Sequence, residues 1–185
     1  MKVKGNILLA RKAFVTGHFG ADAWGRVLAA MPQEDKTQLE GYVANVCWYP
    51  FELGQRLDDA VVKVCGGGSR ALFEQIGAAS ARENLGGVHK DFLCPGNPRG
   101  FMDRTSFIYQ FYYDTGRREW KPEGPTAGVM TTYDADTFSQ LDCLTVVGWY
   151  KEALKMCGAR TADVKEVECR ATGGTVCKYR VEWTQ

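Results

Sequence analysis

The chain has 185 residues, 45% of them hydrophobic and 24% charged, with 23 basic residues balanced by 22 acidic ones. That length suits one domain burying roughly 70% of its unfolded surface. The near-zero net charge excludes the broad basic footprint of a nucleic-acid binder or of a protein held on an anionic membrane. Met1 to Ala10 carries only the apolar run Ile7-Leu-Leu-Ala10 before Arg11. This is too short for a signal-peptide core, and no stretch approaches a membrane span, so a cytoplasmic protein is expected.

The N-terminal half reads as helical. Ala21 to Met31 predicts a helix stopped by Pro32, and Gln33 to Val46 a second. Pro50 suits a first helical turn, after which Leu53, Leu57, Val61 and Val64 recur at helical spacing. Gly66-Gly-Gly-Ser-Arg70 ends that helix; it lacks the lysine of a phosphate-binding loop and follows no strand. Ser69 to about Asn84 predicts a further helix, whose Gly77, Ala78, Ala79 and Ala81 point to close approach of another backbone. Cys94-Pro-Gly-Asn-Pro-Arg-Gly100 reads as a loop.

Beyond it the period changes. Ser106 to Tyr113 predicts an aromatic strand with Phe107, Tyr109, Phe111 and Tyr113 on one face. Asp114-Thr-Gly116 would turn it into a short partner, Arg117 to Trp120, followed by another strand over Ala127 to Tyr133. Thr137 and Gln140 form a capping-box pattern opening a helix that runs to about Cys157 and closes at Gly158. Cys143, Val147, Leu154 and Cys157 share one of its faces. The chain ends in a predicted hairpin, Val164 to Arg170 and Thr175 to Trp183, turning at Gly173-Gly174. The sum is an α+β domain over residues 1–185, its N-terminal helices packed on a small antiparallel sheet.

Seven cysteines without an export signal argue against a disulfide framework. Cys47, Cys65, Cys94 and Cys157 read as small buried hydrophobes. The other three are placed for chemistry. Alternation puts Cys177, Tyr179, Val181 and Trp183 on one face of the last strand, and Val167, Cys169 and Ala171 on the apolar face of its partner. A three-residue loop over Thr172 to Gly174 would set Cys169 opposite Cys177, within reach of one metal ion, for which thiolates favour zinc. Cys143 supplies a third ligand if its helix packs across the hairpin. Glu166 is a candidate fourth, but strict alternation turns it away from Cys169 unless a bulge intervenes; Glu168 or water are the alternatives.

Cys143-Leu-Thr-Val-Val-Gly148, Glu166-Val-Glu-Cys169 and Cys177 resemble the 4-vinyl-reductase domain, also the sensory input of aromatic-responsive, sigma-54-dependent activators. The resemblance covers about residues 140 to 183, with 26 residues from Cys143 to Cys169 and eight from there to Cys177. It implies a structural zinc ion held by Cys143, Glu166, Cys169 and Cys177, clamping the helix to the hairpin. It also implies a wider fold shared with haem-nitric-oxide-binding domains and vesicle-tethering TRAPP subunits. Those activators continue into further domains while this chain ends at Gln185, so output through a protein partner is expected, and the resemblance also implies a homodimer. The haem relatives use an axial histidine and a Tyr-x-Ser-x-Arg element; the latter is missing here, so no haem is expected.

The function expected from these readings is a non-enzymatic sensor of an aromatic or apolar small molecule. Phe107, Tyr109 and Phe111 would form the apolar wall of its pocket, with His89 and Trp120 as polar contacts. A TRAPP-like scaffold is the alternative. A reductase-type enzyme is disfavoured, because no nucleotide-binding glycine pattern follows a strand and three cysteines with a glutamate leave zinc no open position.

Overall fold

A computed structural model describes residues 1–87 and 89–185. A short strand β1 (Lys2–Lys4) leads directly into α1 (Gly5–Phe19), followed by α2 (Ala21–Ala29) and α3 (Gln33–Glu40). Strand β2 (Trp48–Pro50) pairs antiparallel with β1 and feeds α4 (Phe51–Val64). Next come α5 (Leu72–Gly86), a 3-10 turn at Lys90–Phe92, and two short helices, α6 (Pro98–Met102) and α7 (Thr105–Gln110). The rest comprises β3 (Arg117–Pro122), β4 (Ala127–Tyr133), α8 (Gln140–Met156), β5 (Thr161–Glu168) and β6 (Cys177–Thr184). The last four strands form one antiparallel sheet in the order β3-β4-β6-β5.

Two apolar clusters divide the interior. One gathers α1 to α4 around Phe14, Trp24, Leu57 and Phe73; the other gathers α6, α7 and α8 against the sheet around Phe101, Met130, Tyr179 and Val181. Helices α5 and α8 join them in a close crossing. A Cβ at Gly77 would lie 2.1 Å from the Thr145 carbonyl oxygen, and one at Gly148 only 1.9 Å from that of Glu74. The small residues of α5 therefore serve the backbone approach that their density predicts.

The aromatic stretch corrects the sequence reading. Ser106 to Tyr113 is not a strand: α7 and the turn after it bury Thr105, Ile108, Tyr109 and Tyr112, a helical i, i+3, i+4, i+7 set, while Phe107 and Phe111 stay 55% and 37% exposed. Aromatic β-propensity reflects packing on a sheet, and here packing against α8 and β3 decides otherwise. Strand β3 pairs with β4 instead, Trp120 opposite Met130.

Smaller corrections follow the same logic. The helix from Gln33 ends at Glu40, where Gly41 succeeds it. Helix α8 is capped by Ser139, whose Oγ accepts from the Leu141 N–H, rather than by Thr137. Cys47 is exposed and Cys65 and Cys94 half-buried, leaving only Cys157 of those four in the core. No helix among the described residues is long and apolar enough to cross a membrane.

Gly148→Ala is expected to lower unfolding stability by at least about 1–3 kcal/mol, because the new methyl meets backbone that cannot swing away. Gly25→Ala, in the exposed middle of α2 with open space around it, should instead raise stability by about 0.5–1 kcal/mol. Urea denaturation of the two variants checks both signs.

Candidate metal centre and ligand cleft

Strand β5 turns its Val164 side chain inward, almost fully buried, and Glu166 follows on the same face. Pairing runs Glu166 with Tyr179 and then Glu168 with Lys178, so Val167 is an extra residue on β5: a bulge. Val167 itself is 58% exposed, contrary to its expected place on the apolar face. The extra residue reverses the alternation, and Cys169 regains the interior that Glu166 already faces. Regular pairing stops at Glu168, and the connection to Cys177 contains a 3-10 turn, Arg170–Thr172, and a left-handed Gly173. It replaces the three-residue turn that the sequence predicts.

The result is a cluster. One ligand atom from each of Cys143, Glu166, Cys169 and Cys177 lies within 4.8 Å of every other. Cys143 Sγ is 3.7 Å from Cys177 Sγ and 3.9 Å from Cys169 Sγ. Thiolates about 2.3 Å from a tetrahedral zinc ion lie roughly 3.8 Å apart, so the two sulfur separations, those of thiol–thiol hydrogen bonds here, are also compatible with a shared metal. Glu166 Oε1 is buried with no hydrogen-bond partner. A buried carboxylate oxygen without a donor is costly unless a cation meets it.

The electrostatics agree with a cation-seeking site. The hydrogen bond to Cys177 and burial push the Cys143 thiol far up, while the same hydrogen bond draws the Cys177 thiol down to about 7. Burial and the adjacent Glu166 carboxylate raise Cys169 to about 11. Glu168 has other work: it accepts from the Thr175 and Val176 N–H groups and the Thr175 hydroxyl, and meets Lys178 Nζ at 3.2 Å. It closes the hairpin loop and lies outside the cluster.

A second site opens where α1, α5, α7 and α8 meet β3. This cleft of about 50 Å³ is lined by Ile7, Ile108, Val146 and Trp149 with the polar residues Arg11, Ser80, Tyr109, Tyr112, Tyr113, Arg118, Thr145 and Tyr150. Arg11, almost fully buried, bonds Asp58 at 3.1 Å and approaches Asp142 at 3.8 Å. The Tyr113 hydroxyl donates to Asp142 at 2.9–3.0 Å. Burial raises the Asp58 carboxyl to about 6 against the pull of Arg11.

Of the residues expected to hold a ligand, only Tyr109 lines this cleft. His89, Phe107 and Phe111 gather with Phe92 in an aromatic cluster, His89 stacking on Phe92 at 5.3 Å and burial lowering its basicity. Trp120 packs against Trp183, 6.3 Å between centroids. Arg118, Tyr112 and Tyr150 escaped sequence reasoning. The available signal was the alternation of β3, which puts Arg118 and Trp120 inward and Arg117 and Glu119 outward.

These elements make an α+β domain of helices packed on a four-stranded antiparallel sheet. The same fold is that of H-NOX proteins. The chain is similar to the Fe(II) unliganded H-NOX protein from K. algicida, with a TM-score of 0.75 and 11% identity over 98% of this chain and 97% of that one. It is similar to the S. oneidensis H-NOX protein in the Fe(II)NO state, with a TM-score of 0.72 and 12% identity over 98% and 99% of the two chains. A structure solved to probe haem distortion in the H-NOX family matches at a TM-score of 0.74 and 14% identity, over 98% and 95%. No protein-family model and no curated protein sequence matches the chain.

The neighbours correct the exclusion of haem drawn from the sequence, because this is a fold in which haem proteins are built. The cleft offers tyrosine oxygens and Arg118, and its lining includes neither His18 nor His89. Titration with haemin, read in the Soret region, measures directly what the cleft does with a porphyrin.

Hydrogen bonds from Thr175, then Lys178 and Val176, hold the Glu168 carboxylate down at about 2, below its ordinary 4.5. A depressed carboxylate adds stability above its unfolded value and loses it as pH falls through the folded one. Glu168→Gln should therefore flatten the loss of stability between pH 4.5 and 2, as read by denaturation at stepped pH.

Proposed function

We propose that this protein is a small-molecule-binding sensor module whose C-terminal hairpin is clamped to α8 by a structural zinc ion. Cys143, Glu166, Cys169 and Cys177 are its ligands. The observation that carries the reading is the convergence of three sulfurs and a partnerless, buried carboxylate oxygen within 4.8 Å. The resemblance to 4-vinyl-reductase domains, carried by the same residues, supports it. Three thiolates and a carboxylate fill a tetrahedral shell, so the ion crosslinks rather than catalyses. Because the ligands come from α8, β5, the residue after it and β6, metal binding and completion of the fold are one event.

The ligand of the sensor sits in the cleft between the α1–α5 layer and the sheet layer, with Tyr109 in its wall. Such a position lets occupancy alter how the two apolar clusters meet. The resemblance adds a homodimer and a protein partner that carries the output.

Native mass spectrometry of reduced protein is expected to show one zinc per chain. Cys169→Ser and Cys177→Ser should each weaken metal binding by at least about 100-fold, since disturbing even the outer shell of a metal site costs about 10–100-fold. Both should melt well below Cys47→Ser, which alters an exposed thiol. A metal-free protein that keeps the melting temperature of the loaded one would refute the clamp.

A further inference from the structure

Arg118 is 6% exposed, and among the described residues no carboxylate comes within 4.0 Å of it. Its Nε donates to Thr132 Oγ1 at 3.0 Å, and its guanidinium lies over the Tyr109 ring at 4.8 Å and 5.8 Å from that of Tyr150. Asp142 senses the Arg118 charge but is bonded by Tyr113 and approached by Arg11. The contrast with Arg11 is plain, since that equally buried arginine has a carboxylate on its Nε at 3.1 Å. An arginine cannot shed its proton to ease burial.

Two further groups on the cleft lack partners. The hydroxyls of Tyr112 and Tyr150 are buried, and among the described residues neither has a hydrogen-bond partner. Each phenol can donate, as can the free guanidinium nitrogens, so the recognition set is rich in donors and carries one positive charge. A group with two acceptor oxygens and one negative charge satisfies all three at once. Ile108, Val146 and Trp149 form the apolar part of the remaining wall, whose other polar side chains already have partners, Arg11 on Asp58 and Tyr113 on Asp142 among them. The volume, about 50 Å³, is a third of the roughly 150 Å³ that holds benzene in an engineered cavity.

We propose that the cleft binds the carboxylate of a short apolar monocarboxylic acid, with Arg118, Tyr112 and Tyr150 as its recognition set. This rests on the small-molecule reading above and names the ligand class. A single cation favours a monoanion over a phosphate dianion, and the apolar wall favours an acid with a hydrocarbon tail.

The test is calorimetric titration of the zinc-loaded full chain with acetate, propionate and butyrate. The corresponding amides, inorganic phosphate and phenol serve as comparison ligands. At least one acid should bind saturably, with its amide about tenfold weaker or worse. Arg118→Met should abolish acid binding, and Tyr112→Phe, which keeps the ring, should weaken it about threefold or more. If Arg118→Met fails to fold, the acid-to-amide ratio and Tyr112→Phe decide alone. Equal binding of acid and amide, undiminished acid binding by Arg118→Met, or preference for phosphate would each overturn the assignment. Phenol binding without acid binding would defeat the carboxylate assignment and leave the small-molecule reading standing. Binding of none of these ligands would remove both.

Discussion

Helix α8 can reach both halves of the molecule because Gly77 and Gly148 let it lie against α5 backbone to backbone. Any side chain at either position would separate the helices, and much else is hung on that spacing. From one end of α8, Cys143 projects into the hairpin; further along, Thr145 meets Arg11, and Trp149 and Tyr150 wall the cleft. Moving α8 outward would stretch the cysteine cluster, loosen the Arg11 contact and open the cleft together. The crossing is thus the datum from which both sites are measured.

Between the two apolar clusters lies a thin polar layer of Arg11, Asp58, Asp142, Tyr113 and Thr145. Buried ion pairs add little net stability over apolar packing of the same shape, but breaking one is costly. That asymmetry resists sliding of one cluster over the other. It also leaves Arg118, at the edge of the layer, bordering the cleft of about 50 Å³ and a cavity of about 30 Å³ that includes Cys143 and Cys177. A change at Arg118 is therefore felt on both sides.

The clustering of Cys143, Glu166, Cys169 and Cys177 was legible because strand pleat and hairpin pairing restrict where side chains on neighbouring strands can meet. Glu166 needed a bulge, and the register shift between Glu166 and Glu168 supplies one. The α7 region was illegible for a specific reason. Phe107, Tyr109, Phe111 and Tyr113 alternate as a strand would, yet Thr105, Ile108, Tyr109 and Tyr112 also repeat as a helix would. Eight residues cannot choose between the two periods, and packing against α8 and β3 does. The polar layer was hidden for another reason, since Arg11 and Asp58 lie 47 positions apart and only the folded chain brings them together.

The bulge at Val167 lets the three positions from Glu166 to Cys169 do what a regular strand does with two. Its outward side chain is free to become almost anything. Deleting that position would remove the bulge and leave Cys169 two places after Glu166, on the same face by strict alternation. Lengthening the stretch from Ala171 to Gly174 leaves the parity of both strands untouched. Descendants of this chain can therefore drift widely in the loop and at position 167, and a one-residue gap between Glu166 and Cys169 would mark a lineage that has straightened the strand while keeping both side chains on one face.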